Sequence, residues 1–290
     1  MGRRRPPSVH GLVLVDKPAG MTSHDAVQIL RRGLGERRIG HTGTLDPDAT
    51  GLLVCGVGNA TRLFRFMEHH TKRYTCEIVL GAETDTLDDS GTIVARHDMI
   101  PPDIEEVRTI VASRFVGTID QVPPMVSALH HEGRRLHELA REGIEVERAA
   151  RPVEVHAFSV STTPDPLVLA ADITCGAGTY VRVLGADLGA ALGGGAHIRA
   201  LRRHAIGPFD VAEASPPDAP VLLGMIDVAR GMATVPLDEA GLDDVLYGRP
   251  RPAWEGTGPW VALAPDGGIV AVFEAWHDGM AKPTVVFGGR

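Results

Sequence analysis

The sequence predicts an α+β fold on a mixed sheet, followed by a small β-rich C-terminal domain. Strand-like and helix-like segments mix without a regular βαβ alternation, which argues against a doubly wound parallel sheet. From about residue 235 the pattern changes to short strands and a tight turn. A chain of 290 residues with 43% hydrophobic and 23% charged positions accommodates one large domain and one small one.

The elements follow in order. Gly11 to Pro18 reads as a strand entering a turn. A helix begins at Ser23, with Ala26, Val27, Leu30 and Leu34 on one face, and Gly33 or Gly35 ends it. Leu52, Leu53 and Val54 read as a buried strand over 52–56, and Ala60 to Phe66 as a short helix. Lys72 to Leu80 is a strand and Thr84 to Gly91 a loop. Pro101-Pro102 opens an amphipathic helix over 102–115 carrying Ile104, Val107, Ile110 and Val111. Arg134 to Glu142 reads as a polar helix, 153–161 and 167–174 as strands, and Thr179 to Leu192 as a further helix. Asp210 to Pro220, rich in proline, alanine and acids, marks the approach to a boundary. Beyond it, Trp260 to Ala264, the Asp266-Gly267 turn and Ile269 to Phe273 make a hairpin, with Thr284 to Phe287 as another strand.

Composition narrows the function. Cys55, Cys76 and Cys175 have apolar neighbours and no metal-ligand spacing, so they read as reduced core thiols of a cytoplasmic protein. No apolar run approaches a membrane span, and Gly11 to Val15 is too short for a signal-peptide core. Residues 1–9 read as a disordered basic tail. The net charge of −8 argues at first against a polyanionic partner, but it is unevenly distributed. Residues 31–75 hold eight bases (Arg31, Arg32, Arg37, Arg38, Arg62, Arg65, Lys72, Arg73) against four acids, whereas 206–290 hold five bases against twelve acids. The basic half points to a phosphate-rich substrate.

Within that basic stretch, Gly40 to Leu53 fixes one carboxylate in a turn with apolar surroundings. Pro47 sets its own φ and pushes Asp46 toward extended geometry, while Gly43 and Gly51 allow close backbone approach on either side. A positioned, partly desolvated carboxylate suits nucleophilic or acid–base work, so Asp46 is the candidate for chemistry. Tyr74 follows Lys72-Arg73 at the start of a strand, so an aromatic face and two cations are expected side by side, as a stacked base and its phosphates require.

Competing motifs fail. Asp85, Asp88, Asp89 and Gly91 lack the spacing and closing glutamate of a calcium loop and read as a capped turn. His69-His70 and His130-His131 are adjacent and cannot face one metal as i, i+4 residues would. Gly193 to Gly195 and Gly56-Val57-Gly58 lack the lysine and hydroxyl of a P-loop. No metal site is predicted.

Several segments together resemble one family. Lys17-Pro18, His41 to Leu53, Lys72-Arg73-Tyr74, Thr84 to Gly91, Pro123 to Leu129 with Gly133 and Ala140-Arg141, Cys175 to Arg182, and Gly195 to Arg203 are similar to the motifs of bacterial TruB-type tRNA pseudouridine synthases. The resemblance runs from about residue 10 to 205 and is collinear. It implies a pseudouridine synthase catalytic domain over 10–234, with an RNA-gripping insertion at 123–152, and a PUA-like domain over 235–290.

It further implies isomerisation of the T-loop uridine of tRNA, conventionally position 55, on a flipped-out base. That reaction moves no electrons, so no cofactor is needed. Asp46 would be the nucleophile, attacking ribose or base, with Arg182 pairing with it and Tyr74 stacking on the extruded base. His41 would fill the gap left by the base or touch the target phosphate, Tyr180 would pack beneath the site, and Leu201 would form an apolar wall. Lys72, Arg73, Arg202 and Arg203 would hold phosphates, the last two as basic residues at a helix end. Lys17 would buttress the catalytic turn. The implied partner is the tRNA T-arm, with no membrane, no obligatory protein partner and a monomeric enzyme. A tRNA-binding or tRNA-folding protein with secondary catalysis is the alternative. The chain departs from the family in having His137 for a common tyrosine and His130 near a common lysine.

Overall fold

A computed structural model describes residues 6–127, 129–131 and 133–287; the side chains at 130, 131, 135, 137 and 141, which include His130 and His137, lie outside what is described. The chain forms two compact units, one comprising residues 1–47, 51–68 and 207–290, the other 48–50 and 69–206.

In the first unit, strand Gly11–Lys17 pairs antiparallel with Thr50–Val57, from Gly11 opposite Val57 to Lys17 opposite Gly51. Ile39–Thr42 pairs with the same partner, and Leu222–Leu223 adds to Gly11–Lys17. Helix Ser23–Leu34 opens on a capping box between Thr22 and Asp25 and ends at Gly35, whose φ of 63° is the left-handed conformation that favours glycine. Its Ala26, Val27 and Leu30 bury against Val13, Val15, Leu53 and Cys55. Gly58–Phe66 is a 3-10 helix.

The C-terminal part of this unit is a five-stranded sheet in the order Ala233–Pro236, Trp260–Leu263, Ile269–Ala275, Met280–Val286 and Arg251–Pro252. Its first pair is parallel and the rest antiparallel, so this sheet is mixed. It has its own core of Trp260, Phe273, Ala262 and Ala271, closed by Val245 from helix Glu239–Leu246. Two arginines of the 3-10 helix reach this sheet: Arg62 Nη1 donates to the Val286 carbonyl at 2.7 Å, and Arg65 pairs with Glu274.

The second unit is an antiparallel sheet in the order Ala196–Ile206, Lys72–Leu80, Val168–Cys175, Arg151–Thr162, Gly117–Gln121. Along Lys72–Leu80 burial alternates, with Tyr74, Cys76, Ile78 and Leu80 on the covered face. Helix Val181–Ala191 lies on that face so closely that a Cβ on Gly185 would strike the Ile198 side chain. Helix Ile104–Arg114 starts on an Asp103 cap and buries Val107 and Val111.

Two expectations are corrected. The segment around Arg202 and Arg203 is not a helix end but the strand Ala196–Ile206, whose bulges disrupt the alternation a strand normally shows. The polar helix expected over 134–142 shrinks to Leu136–Arg141, because Arg134–Arg135 pairs as a strand with His130–His131.

Candidate active site

The Asp46 turn is held from both sides within the first unit. The hydroxyl of Ser23, the first residue of its helix, accepts from the Leu45 N–H at 2.9 Å and donates to the Leu45 carbonyl at 3.1 Å. On the other side Lys17, fully buried, donates from Nζ to the carbonyls of Met21 (2.7 Å), Pro47 (2.8 Å) and Pro18 (2.9 Å). The backbone on each side of Asp46 is therefore fixed, while its own side chain is half-buried. A buried ammonium donating to these three carbonyls pins the backbone of the turn. His41 sits on strand Ile39–Thr42 opposite Cys55.

In the second unit Tyr74 lies directly across from Arg203 on neighbouring strands. Arg203 is only 1% exposed and Tyr74 8%, and the guanidinium carbon lies 6.0 Å from the ring centroid. Lys72 shares the covered face; burial first, and the Arg203 charge second, push its pKa below the ordinary lysine value. Its Nζ donates to the His70 carbonyl at 2.9 Å. Across from Lys72 is Cys175, whose thiol burial pushes up to about 11.

Arg182, in the first turn of helix Val181–Ala191, is 3% exposed. Its Nη1 donates to the Thr86 carbonyl at 2.6 Å, its Nη2 to the Val126 carbonyl at 2.8 Å, and its Nε lies 3.6 Å from Asp88 Oδ2. Asp88 in turn takes Thr86 and Ser90 hydroxyls on Oδ1 at 2.6 and 2.5 Å. The acidic loop is thus a capped turn that aims one carboxylate at an arginine. Tyr180, just before the helix, has its backbone gripped by buried Gln121, which accepts from the Tyr180 N–H at 2.8 Å and donates to its carbonyl at 3.1 Å. Leu201 and Arg202 lie at a bulge between Arg199 and Arg202, where Ala200 has φ 52°; Arg202 Nη1 reaches the Thr50 hydroxyl at 3.4 Å.

A family model described as TruB family pseudouridylate synthase (N terminal domain) matches residues 31–181. The chain belongs to the TruB family. It is an isomerase that forms pseudouridine from uridine. A protein of Arthrobacter sp. (strain FB24) named tRNA pseudouridine synthase B is 42% identical over 296 residues, covering 96% of each chain. One of the same name from Moorella thermoacetica is 51% identical over 209 residues, which span 71% of this chain and 68% of its own. A structure titled "Crystal Structure of a Cbf5-Nop10-Gar1 Complex" aligns with TM-score 0.71 at 22% identity, covering 96% of this chain and 84% of its own. A structure of an H/ACA RNP bound to a substrate RNA containing 2'-deoxyuridine gives the same TM-score at 19% identity, covering 96% and 85%. Both show that the fold is shared.

Against the TruB-family expectations, the second unit gathers Lys72, Tyr74 and Arg203 but separates Arg73 from them. Successive strand residues face opposite sides, so Arg73 points to the other face of the sheet, where it pairs with Asp172 through Nε–Oδ1 at 3.1 Å and Nη2–Oδ2 at 2.6 Å. That face carries a concavity of about 410 Å³ lined by Thr75, Glu77, Ser159, Ser161 and Asp172, and Arg199 pairs there with Glu77. The expectation that ring and both cations are presented together is corrected accordingly. The second correction concerns Arg203, which is buried behind Tyr74 rather than displayed at the surface for phosphate. The basic cluster of 31–75 is also partly internal in its uses: Arg31 donates to the Ile39 carbonyl, Arg38 to the Thr61 hydroxyl, and Arg62 to the Val286 carbonyl. Sequence reasoning missed Ser23, Asp88 and Gln121 as positioning groups. A serine beginning the helix that follows Lys17-Pro18 was the one visible signal.

Proposed function

We propose that the enzyme converts the T-loop uridine at position 55 of tRNA to pseudouridine, with Asp46 as nucleophile. The substrate class is supported by relatives named tRNA pseudouridine synthase B that match over nearly the whole chain. The observation that carries the residue assignment is the two-sided clamp on the Asp46 backbone, by Ser23 at Leu45 and Lys17 at Pro47. Fixing a nucleophile in advance lowers the entropic part of the barrier.

In the reaction the C1′–N1 glycosidic bond breaks, the uracil turns over, and a C1′–C5 bond forms. The proton on C5 is lost and N1 gains one, so composition and oxidation state are unchanged and no electron carrier is required. Asp46 attacks the ribose or the base and is released when the new bond forms. Arg182, its charge already fixed in a buried site, pairs with Asp46 and favours the ionised carboxylate. Tyr74 stacks on the extruded base, Leu201 walls its pocket, Tyr180 packs beneath, and His41 occupies the gap left in the RNA or touches the target phosphate. Lys72 and Arg202 meet phosphates. Residues 123–152 grip the RNA, and 235–290 act as a PUA-like accessory domain.

Mapping pseudouridine at single-nucleotide resolution in unmodified tRNA incubated with the enzyme tests this reading. One modified site, in the T loop at position 55, is expected. Modification elsewhere, or tRNA binding without modification, overturns it.

A further inference from the structure

We propose that Arg203 is a positioning residue for Tyr74, its buried guanidinium backing the ring and fixing the ring's tilt toward the uridine. The proposal rests on the reading that Tyr74 stacks on the substrate base.

Three observations carry it. Arg203 and Tyr74 are direct cross-strand partners, so their side chains leave the sheet side by side on the same face. Both are buried, and the guanidinium lies over the ring at 6.0 Å from its centroid, within the range of cation–π attraction. The strand is irregular on both sides of Arg203, with register shifts between Arg199 and Arg202 and between Arg203 and Ala205, and a left-handed Ala200 at φ 52° in the first of them. Bulges of this kind re-aim a side chain, and a left-handed alanine costs energy that the surrounding strand must offset.

Simple packing does not account for this choice of residue. An apolar side chain would fill the space behind Tyr74 without the cost of burying a charge. The cost is visible in Lys72, whose pKa is lowered by burial and then by Arg203. Arginine keeps its charge in a dry site, where lysine yields its proton. Arg203 therefore supplies a planar cation against the ring.

The test uses Arg203→Met and Arg203→Lys in the full chain with unmodified tRNA. The chain has three tyrosines, so 3-fluorotyrosine labelling gives three fluorine resonances, assigned by Tyr74→Phe, Tyr180→Phe and Tyr247→Phe. In Arg203→Met the Tyr74 resonance is expected to move while those of Tyr180 and Tyr247 stay. The single-turnover rate is expected to fall about tenfold, the scale of one desolvated cation–π contact. Affinity for tRNA is expected to stay within about twofold, since the group is not a phosphate contact. If Arg203→Met lacks a native circular dichroism spectrum, Arg203→Lys takes the same readouts, with the Tyr74 resonance again expected to move because an ammonium has no planar face. An unmoved Tyr74 resonance, an unchanged rate, or a loss confined to affinity overturns the proposal. A wild-type rate in Tyr74→Ala instead overturns the reading of Tyr74 on which it rests.

Discussion

Replacing Lys17 by methionine keeps an unbranched side chain, one heavy atom shorter, and removes the clamp behind Asp46. The three carbonyls that Nζ serves are not equally dependent on it. Pro47 keeps a second donor, the Met21 N–H at 3.3 Å, and Pro18 is exposed enough for water to take over. The Met21 carbonyl loses most. One orphaned carbonyl costs about 1–3 kcal/mol and two weakened bonds add a fraction of that, so a total loss of about 2–4 kcal/mol is expected. At roughly 2–4 °C per kcal/mol for a chain of this size, Tm should fall by about 5–15 °C. The catalytic effect should exceed the stability effect at a temperature where both proteins are folded, because a displacement of about 1 Å at a nucleophile costs on the order of 100-fold in rate. Thermal melts followed by circular dichroism, with single-turnover pseudouridine formation measured well below both midpoints, read the two effects separately. A variant that melts within about 2 °C of the wild type and reacts within twofold of its rate would refute the clamp argument.

Tyr74→Phe should retain base stacking, whereas Tyr74→Ala should lose about 1–3 kcal/mol of interaction with the flipped uridine, read by single-turnover kinetics. If Phe is as inactive as Ala, the hydroxyl is the working group and Tyr74 is a proton-transfer residue. Lys72 has a native pKa below its unfolded value, so the native state sheds its proton first and the cost of the buried charge is relieved as pH rises from that lowered value toward about 10.4. In urea melts Lys72→Met should therefore be at least as stable as the wild type at pH 7, with the difference shrinking at alkaline pH; a difference that grows with pH contradicts this. Arg202→Ala should weaken tRNA binding and flatten its salt dependence by about one unit, and an unchanged slope removes Arg202 from the phosphate contacts.

The strands and helices that bury one regular face were legible in the sequence. Lys72–Leu80 has the expected bounds, Gly11–Lys17 falls within the expected Gly11 to Pro18, and helix Ser23–Leu34 stops at one of its two candidate glycines, because apolar spacing and a left-handed cap are local signals. Ala196–Ile206 was not legible as a strand, since two bulges break its alternation and its arginines read as surface residues. The parallel strand Ala233–Pro236 was equally hidden, its partner lying far along the chain. In the candidate site, Asp46, Tyr74 and Arg182 are proposed from motifs, but the groups that support them were not legible. Ser23 reaches Leu45 and Gln121 reaches Tyr180 across 22 and 59 residues, and a hydrogen bond over such a separation leaves no periodic trace. Strand alternation sets Arg73 and Tyr74 on opposite faces, and the sequence reading that placed the ring and both cations together overlooked it.

The central claim is that the clamped Asp46 is the nucleophile, and Asp46→Asn tests it most directly. The amide preserves the side chain's shape but cannot attack, so tRNA affinity by filter binding should stay near the wild-type value while single-turnover pseudouridine formation disappears. Pseudouridine formed by Asp46→Asn at a rate comparable to the wild type would contradict the account.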